Sequence, residues 1–86
     1  MVHFYSVGGR LVRRWVPALR RIALEVWNGD GWAVYPDVDS LLRHGHRLTD
    51  EQALTLLQET RAGMGTLSPL SREEADVALR ARSRRA

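Results

Sequence analysis

The hydrophobic positions of the chain change their period near Pro36. Upstream, residues 3–7 (HFYSV) have the aromatic and β-branched content of a strand, and Gly8-Gly9 can reverse it into RLVRRWV. Residues 22–27 alternate, and residues 32–35 are rich in β formers. Between them Asn28-Gly29-Asp30-Gly31 offers a two-residue turn at either Asn-Gly or Asp-Gly, or a four-residue loop. With parity kept across any of these loops, Ile22, Leu24, Val26, Ala33 and Tyr35 share one face, and Ala23, Glu25, Trp27, Trp32 and Val34 the other. The aliphatic set makes the better core, which sends both tryptophans to the second face.

Residues 10–27 carry a competing signal. Leu11, Val12, Trp15, Val16, Leu19, Ile22, Ala23, Val26 and Trp27 recur at spacings of three and four with arginines largely between them, as in a basic amphipathic helix. Pro17 stands in the middle of that pattern, where an interior proline costs a helix about 3 kcal/mol and biases the preceding residue toward extended geometry. The expectation is a strand or short helical turn ending near Val16 and a fresh element from Leu19.

Downstream of Pro36 the spacing predicts helices over 38–44, 49–62 and 71–83. Asp37 suits an N-cap, and Gly45 suits the left-handed position that ends a helix. Thr49-Asp50-Glu51-Gln52 and Ser71-Arg72-Glu73-Glu74 both fit a capping box. The last helix has few apolar residues and is expected to bury little, leaning on the i,i+4 pairs Arg72–Asp76 and Asp76–Arg80. Together these elements predict an α+β fold. A small antiparallel sheet, made of the hairpin at 20–35 and an N-terminal strand or strands, is covered on one face by two to three helices. The expected core is Ile22, Leu24, Val26, Tyr35, Leu41, Leu42, Leu54 and Leu57. Residues 1–86 form one small domain, with residues 1–18 readable as a loosely attached basic segment and 80–86 as a basic tail.

Composition narrows the function. A chain of 86 residues has room for a single core and buries roughly 60 to 65% of its unfolded surface. Having no cysteine, it can form no disulfide, thiolate metal site or thiol nucleophile, and a cytoplasmic setting is expected. No apolar run approaches the roughly 20 residues of a membrane span. All 13 basic residues are arginine, and their placement is segregated. The first 24 residues hold five arginines and no acid, while residues 25–79 hold all ten acids. Four arginines follow from Arg80 onward, and the net charge is +3. Such segregation favours docking of the ends on the chain's own middle or an anionic partner.

The candidate contact residues are therefore Trp27 and Trp32 with two basic clusters, Arg10, Arg13, Arg14, Arg20 and Arg21, and Arg80, Arg82, Arg84 and Arg85. Indole faces beside arginines serve protein hot spots and stacked nucleic-acid bases alike. Of the two rings, Trp27 follows the longer apolar strand and is the expected core residue, leaving Trp32 as the contact. A helix-turn-helix at 37–62 fits poorly, because the longer helix is net acidic and Leu41 and Glu51 stand where a small and an apolar residue are wanted. His44-Gly45-His46 with Asp37 and Asp39 lacks a second ligand cluster, so no metal is expected. Neither a nucleophile elbow nor a phosphate loop occurs, and no cofactor, small-molecule substrate or catalytic activity is expected. The pattern favours a non-catalytic binding module that docks a protein partner or its own copy through an aromatic, arginine-bearing surface, without membrane association. Nucleic-acid binding by the terminal arginine clusters is the alternative.

Overall fold

The computed structural model describes residues 2–18, 21–65 and 68–81. The fold is α+β: a five-stranded antiparallel sheet and three helices, in the order β1 (His3–Val7), β2 (Arg10–Ala18), β3 (Arg21–Trp27), β4 (Trp32–Val34), α1 (Val38–His44), β5 (His46–Leu48), α2 (Asp50–Ala62) and α3 (Arg72–Arg80). The sheet order is β4-β3-β2-β1-β5, so the N-terminal segment supplies the centre of the sheet rather than a loosely attached extension.

Strand β2 runs through Pro17 without a helical turn. β1 pairs with it only as far as Arg14, and its register against β3 shifts between Trp15 and Ala18. Proline at such a position removes no regular ladder bond. The β3–β4 connection is the four-residue loop, with Trp27 opposite Trp32 and the Asn28 amide donating to the Gly31 carbonyl at 2.9 Å. Gly29 sits at φ +96°, and a Cβ there would lie 2.6 Å from Met64 Cγ. The Arg61 guanidinium donates to the Gly29 carbonyl at 3.2 Å, so the end of α2 grips this loop.

Both capping boxes form at the starts of α2 and α3. Gly45 differs from expectation, with φ −73° and ψ 133° in place of a left-handed turn. The chain passes straight from α1 into β5 there, and glycine is needed because a Cβ would stand 2.3 Å from the Leu41 carbonyl oxygen.

The helices do not share one face of the sheet. α2 and α3 cover the side bearing Phe4, Leu11 and Trp27, which with Ala53, Leu54, Leu57, Ala75 and Leu79 form the larger core. α1 lies on the opposite side, where Val7, Val12, Val26 and Tyr35 form a smaller cluster with Leu41 against it. The expected core is corrected accordingly. Val26, Tyr35, Leu54 and Leu57 are buried, but in two clusters on opposite faces, whereas Ile22 is 61% and Leu42 78% exposed. The last helix is corrected too, since Ala75 and Leu79 are completely buried. It ends at Arg80, and Arg72 pairs with Glu51 of α2 in place of Asp76. No helix among the described residues is long and apolar enough to cross a membrane.

Candidate functional site

Trp27 and Trp32 lie on the face covered by α2 and α3. Trp27 is buried, its ring meeting that of Trp32 edge-on at 5.3 Å, and Trp32 donates its indole N–H to the Ala78 carbonyl at 2.7 Å. The pair is an internal packing unit, with the half-buried Trp32 fastening the sheet to α3.

Arg13 shares this interior. Its Cα partner across β2 and β3 is Glu25, and the two side chains meet with Nε donating to Oε1 at 3.0 Å and Nη2 at 2.9 Å from the same oxygen. Trp15 donates its indole N–H to that oxygen at 2.6 Å. The Arg13 guanidinium lies between the rings of Trp15, 4.7 Å away, and Trp32, 4.1 Å away, and donates through Nη1 to the Leu79 carbonyl at 2.7 Å. It thus satisfies a carbonyl in the last turn of α3 that has no partner within the helix. Burial lowers the Arg13 pKa and the bond to Glu25 opposes that shift, so the guanidinium keeps its charge in a dry site. Arg13 and Trp27 are thereby withdrawn from any contact surface of the folded chain.

The remaining arginines separate. Arg80 is held on α3 by Asp76 at 2.5 Å and Asp50 at 2.8 Å, and Arg21 is exposed at the start of β3. Arg20, Arg82, Arg84 and Arg85 lie outside the described residues. Arg10 and Arg14 stand opposite Val7 and His3 in the register, on the α1 side of the sheet. Arg47 reaches that side from β5, opposite Tyr5, with its guanidinium 6.0 Å from the Tyr5 ring centre. Among the described residues, the ion pairs of the chain use none of Arg10, Arg14 and Arg47.

Between α1 and the β2–β3 arm this side of the sheet is open among the described residues. A trough of about 440 Å³ is lined by apolar Ile22, Leu24, Val38, Leu41 and Leu42, with Tyr5 and Arg14 at its basic end. Val38 and Leu42 are one helical turn apart and present one stripe of α1 to the trough, while Leu41 packs down onto the sheet. The sequence reading counted Leu41 and Leu42 alike toward the core. A seven-residue helix can bury only one stripe, and a second stripe of large apolar residues was the available signal. Arg47 and Tyr5 were missed because β5 is a three-residue strand with a single apolar side chain, too short for any period.

Charge accumulates at the same end. Burial, and then the positive charges of Arg47 and Arg14, hold the His3 pKa below its ordinary 6.5. A histidine depressed on folding favours the neutral form, so its contribution is complete above pH 6.5 and is lost as pH falls below that value and the unfolded chain takes up the proton first. The urea midpoint is therefore expected to fall between pH 7.5 and pH 5.5, and His3→Gln to flatten that decline. An unchanged slope in the variant contradicts the assignment. Asp37, the N-cap of α1, is held below the usual carboxylate range by the Ser40 hydroxyl and amide that donate to it.

His44 and His46 are exposed, and among the described residues no group of three metal-ligating side chains converges. Comparison with known protein families, with curated proteins and with solved structures finds no match to this chain.

Proposed function

We propose that this chain is a non-catalytic binding module that docks a polypeptide through the open side of its sheet. One observation carries the reading. Among the described residues the sheet has two helices on one side but a single seven-residue helix on the other, leaving an apolar trough beside arginines that take no part in the ion pairs there. Exposed apolar surface of this kind, edged by charge, is what protein interfaces use. The aromatic, arginine-bearing surface is made by Tyr5, Arg14 and Arg47, and the two tryptophans support it from the far side of the sheet. A cysteine-free chain is suited to a reducing compartment, and we place its action in the cytosol. Less supports nucleic-acid binding, because Arg13 is internal, Arg80 is paired and the trough floor is aliphatic rather than a stacking platform.

Leu42→Asp and the control Val77→Asp, on the outer side of α3 and 69% exposed, should each change folding stability by about 0.5 kcal/mol or less. Leu42→Asp alone should then weaken partner capture or self-association by a factor of ten or more. A wild-type chain that neither captures a partner nor self-associates overturns the reading. So does association that Leu42→Asp leaves intact.

A further inference from the structure

Resting on that reading, we infer that the occupant of the trough is a single amphipathic helix of another protein, carrying acidic residues beside its apolar stripe. The size of the vacancy follows from the sheet. Five strands spaced about 4.8 Å apart span roughly 19 Å between outer axes, and helices pack 8–10 Å apart, so about two helices abreast cover one side. α2 and α3 meet that requirement on the tryptophan side. α1 covers one part of the other side, packed over the Val7, Val12, Val26 and Tyr35 cluster, and among the described residues the open trough lies beside it. The walls match such a guest: the Val38 and Leu42 stripe of α1 on one flank, Ile22 and Leu24 of β3 beneath, and Tyr5 at one end. A helix seated there completes the layer as a neighbouring helix of the same chain would.

The sign of the guest comes from the rim. Arg14 lines the trough, Arg47 stands over Tyr5, and Arg10 shares their side of the sheet, with none of the three in an ion pair among the described residues. The facing carboxylates of the chain are Asp37, committed to Ser40, and Asp39, paired with Arg43. Six of the ten acids lie instead on α2 and α3, on the opposite side of the molecule. A symmetric dimer through the trough would set this basic rim against the same basic rim of a second copy, because a twofold interface opposes each patch to itself, and the neighbouring carboxylates Asp37 and Asp39 are already engaged. A glutamate-flanked helix meets them with complementary charge, which fixes its placement and orientation.

The test is selection from a displayed library of 16-residue amphipathic helices with a fixed leucine stripe and flanking positions free to be Glu, Gln or Lys. The chain of 86 residues is the bait. Glutamate is expected to be enriched at the flanks, and the selected peptides to lose at least tenfold in affinity against Leu42→Asp and against Arg14→Glu. The pair of substitutions Arg14→Glu and Arg47→Glu, with folding checked by circular dichroism, should turn the selection toward lysine. Enrichment of Lys or Gln flanks, or a light-scattering dimer that Leu42→Asp dissolves, overturns the acidic helix while leaving the docking reading intact. Competition of a single-stranded oligonucleotide for the same Leu42-dependent site, with no peptide enriched, overturns it in favour of nucleic acid. Failure of every ligand and of self-association to depend on Leu42 removes both readings together.

Discussion

Arg13→Ala is expected to cost about 3 to 5 kcal/mol of folding stability, the range for removing one member of a buried ion pair. The cause is what remains behind. Glu25, 3% exposed, would keep a charge in the interior with only the Trp15 indole N–H donating to it, and the Leu79 carbonyl would lose its donor. A domain of 86 residues has about 4 to 13 kcal/mol of stability in all, so the variant stands at or near the threshold of folding. Arg13→Met combined with Glu25→Gln should recover at least half of the loss, since no charge is then buried and the amide oxygen still accepts from Trp15. Urea titration of the wild type and the two variants measures both numbers. A single-variant loss below about 1 kcal/mol, or a double variant as unstable as Arg13→Ala, contradicts the assigned network.

Trp27→Ala should cost about 3 to 5 kcal/mol, by loss of a large buried aromatic and the cavity it leaves beneath α2 and α3. Ile22→Ala, which alternation alone assigns to the core, should cost about 0.5 kcal/mol or less, because the side chain is 61% exposed. The pair of measurements distinguishes the two sides of the sheet with a single method. Equal losses at the two positions, or a larger one at Ile22, would place the main core on the wrong side.

Parity was legible in the sequence, and the choice of side was not. The division of Val26, Ala33 and Tyr35 from Glu25, Trp27 and Trp32 follows from the pleat and is the same for the Asn-Gly turn, the Asp-Gly turn and the four-residue loop. Which side attracts the longer helices depends on shape. Ala53 of α2 and Ala75 of α3 are small enough to let those helices approach the bulky Phe4 and Trp27, whereas α1 offers Val38, Leu41 and Leu42. The aromatic side also has more area to bury per residue. β2 resisted reading for a related reason. Helices lie on both sides of this central strand, so Leu11 and Val12 are both buried and the alternation that marks a strand disappears. Arg13 then looked like one more exposed arginine in a basic run. Its burial depends on a carboxylate opposite it in β3 and two indoles on the same side, which become neighbours only when the register is known. The candidate site was less legible than the fold. Arg10 and Arg14 were identified as contact residues, but Tyr5 and Arg47 meet through a β1–β5 pairing that no periodicity announces.

The bond between Arg13 and the Leu79 carbonyl joins residues 66 positions apart, whereas Arg13 and Glu25 are only 12 apart. During synthesis the chain emerges from its amino-terminal end, so the hairpin and its ion pair are available long before α3. In that interval the guanidinium and carboxylate stay hydrated, and their attraction has the small value of an exposed pair. The desolvation of both groups is deferred until α3 docks, and the Leu79 carbonyl arrives at the same moment to replace lost water on the guanidinium. A nascent chain that halts before α3 therefore carries a wet, loosely held sheet, and it is the docking of α3 that dries the interior.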